Sequence, residues 1–401
     1  MEYIPLCKLF YSDKEHYEEI YHSRFCSDYT LHLDFAIHGN PAFVVLVPSF
    51  YRKITELYRT DKKIKDLCNK LPGKALEQFA RRCLVDEIIL TNDIEGVYSS
   101  RREIHDVLSE LEEKSKGHRF YGLVQKYLIL QSESDLSFQT CEDIRSLYND
   151  LVYNEIKEDD PDNLPDGKIF RKDSASVTNA TQKVIHQGVT PESQIIFCMN
   201  KALSILNDSE MDCMFRVSIF HYLFGYIHPF YDGNGRTSRF ISSYLLAKEF
   251  EPILGYRISH SIKENISDYY KAFKICNDRH NRGDLTPFVI MFFDVVLNSM
   301  HQLMEALEKR FLALENYGEM IKLLPKGTDE KYRMLYDILI QASLFSEEGI
   351  SKQEIANVLK ISKQTVDNRI KDPAVSVFIV KQRVKTQNFY RLNLELLDQL
   401  K

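Results

Sequence analysis

The sequence predicts a mostly α-helical fold: a helical bundle that carries a small hairpin, followed by a winged helix-turn-helix module. Three observations point that way. Apolar residues recur at helical spacing through most of the chain, as at Ile144, Leu147 and Leu151. Strand-like alternation is confined to short stretches. The turn-forming run Pro325-Lys326-Gly327-Thr328 interrupts the helical pattern ahead of a segment with its own charge balance.

Composition bounds the class. With 401 residues, 44% of them hydrophobic and 27% charged, the chain is long enough for two or three globular domains. The N-terminal run MEYIPLCKLFYSDKEHYEE lacks a basic region followed by an apolar one, and no apolar run approaches the length of a membrane span. A cytoplasmic protein with no membrane partner is therefore expected. Cys7, Cys26, Cys68, Cys83, Cys141, Cys198, Cys213 and Cys276 are scattered without a C-x-x-C pair, so buried free thiols are expected, not bridges or zinc ligands. A net charge of −6 argues against nucleic-acid binding by the chain as a whole.

In chain order, Tyr29 to Ile37 alternates like a strand, Gly39-Asn40-Pro41 breaks it, and Ala42 to Val47 can pair back as a hairpin. Ser49 to Leu71 has a helical pattern and Pro72-Gly73 punctuates it. A further helix is expected from Ala75 to about Leu90, leading into Thr91-Asn92-Asp93-Ile94-Glu95-Gly96. Taken alone, that segment is a helix ending at a glycine, with Thr91 and Glu95 on one face. Helical patterns also cover Arg101 to about Leu130, with Leu108 and Leu111 at core spacing, and Thr140 to Ile156. Glu158 to Gly167 is an exposed acidic loop rich in turn residues. Beyond it, Lys168-Ile169-Phe170-Arg171 and Ser176-Val177-Thr178 read as short extended segments leading to His186-Gln187-Gly188-Val189.

The most informative stretch is His228-Pro229-Phe230-Tyr231-Asp232-Gly233-Asn234-Gly235-Arg236-Thr237-Ser238-Arg239. The run from Met211 to Ile227 before it is apolar on nearly every face, as a buried helix should be. Phe240, Ile241, Tyr244 and Leu245 after it repeat at helical spacing. Between two such helices lies a tight turn. Gly233 and Gly235 allow close backbone approach, so successive N–H groups can face one anion, and the helix beginning near Arg236 adds its positive end. Arg236 and Arg239 share a face of that helix. His228 can take a proton near neutral pH, and Asp232 can hold Mg2+. Base, metal ligand, anion nest and arginines thus fall within twelve residues, as a polyphosphate site requires. Ser238 stands where a dinucleotide fingerprint needs a third glycine, and no Walker A pattern occurs, which argues against those two nucleotide sites.

These residues match, position for position, the motif His-x-Phe-x-Asp/Glu-Gly-Asn-Gly-Arg-x-x-Arg, so the chain resembles the Fic family over roughly residues 75 to 300. The resemblance implies a helical fold that transfers AMP from ATP to a protein hydroxyl. It implies His228 as general base and Asp232 as the Mg2+ ligand. Gly233, Asn234, Gly235 and Arg236 would hold the α- and β-phosphates, Arg239 the γ-phosphate, and Phe230 would pack the turn. The segment Thr91 to Gly96 is similar to the family's inhibitory motif, Ser/Thr-x-x-x-Glu-Gly/Asn. That likeness implies that Glu95 pairs with Arg239 and fills the γ-phosphate position. Residues around His186 are similar to the flap hairpin that aligns the target, although Gly188-Val189 replaces the usual two prolines. Ser259 to Val296 resembles the rest of the domain and implies that Tyr269, Tyr270 and Asn277 lie near adenine and ribose. Core packing is the alternative for the tyrosines.

After the Pro325 linker, Tyr332 to Leu344 is helical. Ser351-Lys352-Gln353-Glu354 is a capping box opening a helix through Leu359, and Ser362 starts another with Val366 and Ile370 inward. Val375 to Val380 and Lys385 to Leu392 then read as a strand pair with Lys381-Gln382-Arg383 between them. This is a winged helix-turn-helix pattern. Residues 351–391 hold nine Lys+Arg against three Asp+Glu, an excess of six, so the rest of the chain carries −12. Such a module can read DNA, here through Gln364, Thr365, Asn368 and Arg369, or dock a protein.

The expected organisation is an N-terminal region with an inhibitory helix (1–100), a Fic catalytic domain (101–315) and a winged helix-turn-helix domain (325–401). The expected function is a protein adenylyltransferase that uses ATP and Mg2+, acts on a Ser, Thr or Tyr hydroxyl of a target protein, and is autoinhibited through Glu95. A DNA-binding regulator with the Fic domain as nucleotide sensor, a Fic enzyme that removes AMP, and assembly into a homo-oligomer stay open.

Overall fold

The computed structural model describes residues 3–110, 119–132, 134–178, 184–384 and 387–400. Two compact units emerge, one of Met1–Asp61 with Leu84–His301 and one of Lys62–Cys83 with Gln302–Lys401.

The first unit opens with α1 (Leu6–Ser12) and α2 (Tyr17–Phe25), whose Leu6, Leu9, Tyr17 and Tyr21 pack with Phe43. Phe43 belongs to the expected hairpin, β1 (Thr30–Ile37) with β2 (Asn40–Val45), antiparallel from Thr30↔Val45 to Ile37↔Asn40. His38 and Gly39 at its tip both have positive φ, the backbone that two-residue hairpins favour. Helices α3 (Pro48–Lys70) and α4 (Gly73–Ile94) follow the predicted pattern, with α4 running four residues past Leu90. Gly96, at φ 74°, closes that end.

Helices α5 (Arg101–Glu110) and α6 (Tyr121–Leu128) come next; Leu111 lies outside the described residues. Helix α7 (Cys141–Tyr148) opens on a capping box between Thr140 and Asp143. It passes into a π-helical turn (Asn149–Tyr153) and then α8 (Asn154–Asp159), where periodicity alone suggested one regular helix. Gly122 of α6 sits so close to this turn that a Cβ would lie 1.9 Å from the Asp150 carbonyl oxygen.

Lys168 to Phe170 is not extended, contrary to expectation. It bends around the Glu192 carboxylate, to which the amides of Lys168, Ile169 and Phe170 donate at 3.1, 2.7 and 2.9 Å. A strand would send successive amides to opposite sides, so three convergent donors require a bend. The expected flap hairpin is present as β3 (Ser176–Thr178) and β4 (Val184–Gln187), paired antiparallel.

Helices α9 (Glu192–Leu206), α10 (Cys213–Ile227) and α11 (Asn234–Glu249) build the centre of the unit. The apolar α10 is buried on nearly every face, as its composition predicts. Helices α12 (Ile258–Glu264), α13 (Ile266–Cys276) and α14 (Thr286–Met320) follow. The continuous helix Thr286–Leu323 is long and apolar enough, by length and composition, to cross a membrane, which corrects the expectation that no run approaches that length. Within this fold 56% of its most apolar window is buried, and a core helix meets the same criterion.

In the second unit, α15 (Glu330–Phe345), β5 (Ile350–Ser351), α16 (Lys352–Leu359), α17 (Lys363–Ile370), α18 (Pro373–Ser376), β6 (Ile379–Val384), β7 (Gln387–Leu392) and α19 (Leu394–Asp398) enclose a core including Leu335, Leu339, Ile355, Val366, Ile370 and Tyr390. The strands form an antiparallel sheet in the order β5-β7-β6. The capping box of Ser351 and Glu354 is formed as read. Two expectations need correction. Val375 lies in α18, because the Asp372 carboxylate caps a turn begun by Pro373, and the strand starts only at Ile379. Lys381-Gln382-Arg383 is part of β6, opposite Tyr390, Phe389 and Asn388, instead of a connection between strands. Lys385 lies outside the described residues.

Candidate active site

The site is the turn between α10 and α11. Helix α10 ends at His228, which adopts φ 51° and ψ 63°, a left-handed conformation that costs a non-glycine residue about 1–2 kcal/mol. Phe230 is fully buried, stacked on Tyr148 at 3.8 Å between ring centroids and edge-on to Phe170. The Asn234 side chain closes the turn: its Oδ1 accepts from the Phe230 amide at 2.9 Å and its Nδ2 donates to the Phe230 carbonyl at 2.8 Å. Gly233, at φ 78°, precedes α11, and a Cβ there would lie 2.8 Å from Val152. The first turn of α11 therefore starts from a locked loop.

Arg236 is fully buried. Its Nη1 donates to both oxygens of Glu155, at 2.5 and 2.6 Å, and its Nη2 lies 3.5 Å from Asp232 Oδ1. Burial pushes the Glu155 carboxyl above the usual range, and the Arg236 charge only partly offsets it. Asp232 remains 39% exposed, whereas Arg236 and Arg239 have almost no surface, so its carboxylate is more open to solvent than that of Glu95, which is 27% exposed and already paired with Arg239.

The Arg239 guanidinium is enclosed by the end of α4. Its Nη1 lies 2.8 Å from Glu95 Oε1, its Nε donates to Thr91 Oγ1 at 2.8 Å, and its Nη2 donates to the Thr91 carbonyl at 2.9 Å. Glu95 reaches this position because the chain winds tightly past the helix end, with the amides of Glu95 and Val97 both donating to the Asn92 carbonyl. Gly235 makes room for it: a Cβ there would lie 2.0 Å from Glu95 Oε1.

Residues 138–246 match the model of the Fic/DOC family. The chain carries a Fic domain. Over 74 residues it is 40% identical to Protein adenylyltransferase Fic of Drosophila grimshawi, a match covering 18% of this chain and 14% of that protein. Over 88 residues it is 36% identical to the protein of the same name in Drosophila ananassae, covering 22% and 16%. The chain thus spans only a small part of the length of these curated relatives. Among solved structures, a Fic family protein from Desulfovibrio desulfuricans has a similar fold, with a TM-score of 0.51 and 21% identity over 86% of this chain and 96% of that one.

In this Fic domain His228 is half-buried, and desolvation, aided by His186 and Arg171, pushes its imidazole down to about 3. It is therefore neutral at physiological pH, and the same desolvation lowers its affinity for a proton below that of a free imidazole. The flap root is fastened behind it. Val189 donates its amide to the Ile227 carbonyl at 3.0 Å, and the Arg171 amide donates to the Pro229 carbonyl at 3.2 Å. His186, from β4, places Nε2 2.7 Å from the Tyr226 carbonyl oxygen.

Around Arg239 lies a buried polar shell. His221 sits between Ser242 Oγ at 2.9 Å and Tyr269 Oη at 2.7 Å, and burial pushes its imidazole down to about 3, helped by the Arg239 charge. Tyr269 is thus turned inward by its hydroxyl, while Tyr270 is half exposed. Asn277 Oδ1 accepts from the buried Tyr222 hydroxyl at 2.6 Å, so its side chain is anchored from within. One turn before Thr91, the buried Glu87 accepts from the Ser259 amide at 3.0 Å and from its hydroxyl at 2.6 Å.

Two residues at this site carry little or no local sequence signal. Glu155 shows only as an acidic residue beside the apolar Ile156. Arg171, fully buried, had none.

Among the described residues no group of three or more His, Cys, Asp or Glu side chains could hold a metal ion unaided. The solvent-open Asp232 carboxylate fits Mg2+, which commonly takes one or two protein carboxylates and completes its shell with substrate phosphates and water. In the C-terminal module Gln364 and Asn368 are exposed on α17 and bonded to each other at 3.1 Å. Thr365 Oγ1 lies 2.9 Å from Ser362 Oγ, and Arg369 donates to the Lys331 carbonyl at 3.0 Å.

Proposed function

We propose that this protein is an adenylyltransferase that moves AMP from ATP to a Ser, Thr or Tyr hydroxyl of a target protein, and that Glu95 holds it in a low-activity state. The reading rests chiefly on Arg239, a cation of the phosphate-binding motif that already pairs with a carboxylate from α4. A guanidinium pair with a carboxylate has the geometry of a pair with phosphate, so the two compete.

In the reaction, neutral His228 takes the proton of the target hydroxyl, whose oxygen attacks the α-phosphorus as the bond to the pyrophosphate oxygen breaks. The N-terminal turn of α11 faces the phosphates, and Arg239, once released, holds the γ-phosphate that keeps the α-phosphate in line. Asp232 would hold Mg2+ together with those phosphates. That ion would neutralise charge on the leaving pyrophosphate. Arg236, paired with Glu155, would fix the start of α11.

The test is to incubate the Glu95→Gly protein and a cell lysate with ATP labelled on the α-phosphate, then identify what becomes labelled. Label on a protein hydroxyl supports the reading. No label on any protein including the enzyme itself, with label appearing only in a parallel incubation with γ-labelled ATP or in neither, would sink it. Chasing labelled protein without ATP tests AMP removal by the same site.

A second reading, a DNA-binding regulator with the Fic domain as nucleotide sensor, draws on the exposed Lys381, Gln382 and Arg383 of β6 and the exposed Gln364 and Asn368 of α17. It takes the C-terminal module as a winged helix. Retardation of duplex DNA that weakens steeply with salt would support it, and no retardation at low salt would leave protein docking as that module's role.

A further inference from the structure

We propose that Arg171 is the positioning residue for the general base, clamping the His228 backbone to the root of the flap hairpin. This rests on the reading of His228 as that base. Arg171 has no exposed surface, and among the described residues no carboxylate pairs with it. Its guanidinium instead gathers backbone carbonyls: Nε donates to the His228 carbonyl at 2.9 Å, Nη2 to the Val189 carbonyl at 2.8 Å, and Nη1 to the Asp173 carbonyl.

Burying a cation without a counter-charge is costly, and an apolar side chain of similar length would fill the space without that cost. What the guanidinium adds is direction. Three carbonyls from separate segments can be held by one planar fork of donors, and lysine or methionine cannot match that geometry. One of the three belongs to the residue whose backbone is strained. His228 sits at φ 51°, and its carbonyl sets where the chain turns into Pro229. Fixing that oxygen fixes ψ of His228, and with it the direction from which the imidazole enters the site.

The other two carbonyls lie at the flap. Val189 follows β4 and Asp173 precedes β3, so the clamp joins the base to the hairpin that resembles the target-aligning flap. Packing at the junction leaves no slack: a Cβ on Gly188 would lie 2.4 Å from Arg171 Nη2 and 2.9 Å from the His228 Cβ. Arg171 thus sets base and flap in one register.

The experiment uses the full chain with Glu95→Gly as the active parent and adds Arg171→Met, Arg171→Lys or Gly188→Ala. In Arg171→Met, kcat for transfer should fall about 10- to 100-fold, as expected for a base displaced by an ångström or less. The ATP dissociation constant by calorimetry should stay within about twofold, because Arg171 touches no element of the phosphate nest. Arg171→Lys should recover part of the rate. Gly188→Ala, with Arg171 intact, should lose kcat in the same way by pushing Nη2 off the Val189 carbonyl and tilting the guanidinium, which covers the case of an Arg171→Met protein that folds poorly.

A readout free of activity is the imidazole signal of His228 in histidine-labelled protein, assigned by its loss in His228→Ala. It should shift in Arg171→Met and Gly188→Ala while the His221 signal stays in place. If the parent labels no protein yet the His228 signal shifts, the transfer reading fails and the clamp stands. An unmoved His228 signal, unchanged kcat, or a loss of ATP affinity equal to the loss of rate would each overturn the clamp.

Discussion

Arg239 and Thr91 are joined twice, side chain to side chain through Nε and side chain to backbone through Nη2, which leaves Nη1 for Glu95. Thr91 therefore aims the guanidinium, and Glu95 occupies its remaining edge, the one the proposed γ-phosphate contact would use.

Replacing Glu95 by glycine should raise the rate of self-labelling from α-labelled ATP. If freeing the arginine favours the productive pose by only ~1.4 kcal/mol, the gain is about tenfold. The paired Glu95→Gly, Arg239→Ala variant should fall back toward wild type. Equal rates for wild type and Glu95→Gly at saturating ATP with a target present would refute the brake.

Thr91→Val keeps the volume and removes the acceptor of the Arg239 Nε hydrogen bond. The cost of that bond to a charged group is about 1.5–3 kcal/mol, visible as a lower Tm. Labelling should rise, but less than in Glu95→Gly, since the Thr91 carbonyl still binds Nη2. Thr91→Ser should behave as wild type. A Thr91→Val protein as quiet and as stable as the parent would show that Thr91 does not aim the arginine.

His228→Ala in the Glu95→Gly background should abolish transfer with ATP binding largely intact, because the role proposed for the imidazole is with the proton and not with the phosphates. Calorimetry beside a rate assay decides it, and parallel loss of both would remove His228 from the role of base.

Asp232→Ala in the same background should lose Mg2+-dependent labelling, because the described residues offer no cluster that could replace that carboxylate. A titration of rate against Mg2+ is the measurement, and a curve matching that of the parent would place the ion elsewhere.

Glu87 gives a pH signature. Burial pushes its carboxyl up to about 7, only partly opposed by the Ser259 hydrogen bonds and the charges of Arg239 and Arg257. The folded value lies above the unfolded one, so the folded state binds more protons between about pH 4.5 and 7, and stability falls as pH rises through that window. The shift corresponds to about 3 kcal/mol. Glu87→Gln should remove that slope, so its stability relative to wild type should increase from pH 5 to pH 8 in denaturant titrations. Parallel curves for the two proteins would show that Glu87 does not titrate in this range.

The sequence revealed what was contiguous. Twelve residues from His228 to Arg239 carry the turn and both arginines, so that turn could be read locally, whereas the pairing of Glu95 with Arg239 was implied only by the family resemblance. Glu155 and Arg171 come from segments some 80 and 60 residues away, and buried partnership across such distances leaves no periodic trace. The bend at Lys168 to Phe170 was hidden for a related reason: the side chain that organises it, Glu192, lies more than twenty residues further on. At Val375 a cap outweighed the preference of valine for strands, since Asp372 with Pro373 starts a helical turn at once.

Glu95 stands one residue beyond the last residue of α4, whereas Thr91 and Glu87 lie inside that helix and are held at their positions. Releasing the arginine therefore requires one partly solvent-accessible side chain to swing away, with the helix left in place. If the proposed brake holds, such a motion would recur on the timescale of side-chain rotation, and the resting protein would spend a fixed fraction of time uncovered. If the pair is worth about 1.4 kcal/mol, that fraction is roughly one part in ten, and basal turnover would report it directly. The resting rate then becomes a gauge of a single ion pair, and added salt, which weakens contacts at partly exposed carboxylates, should raise the leak without any change in sequence.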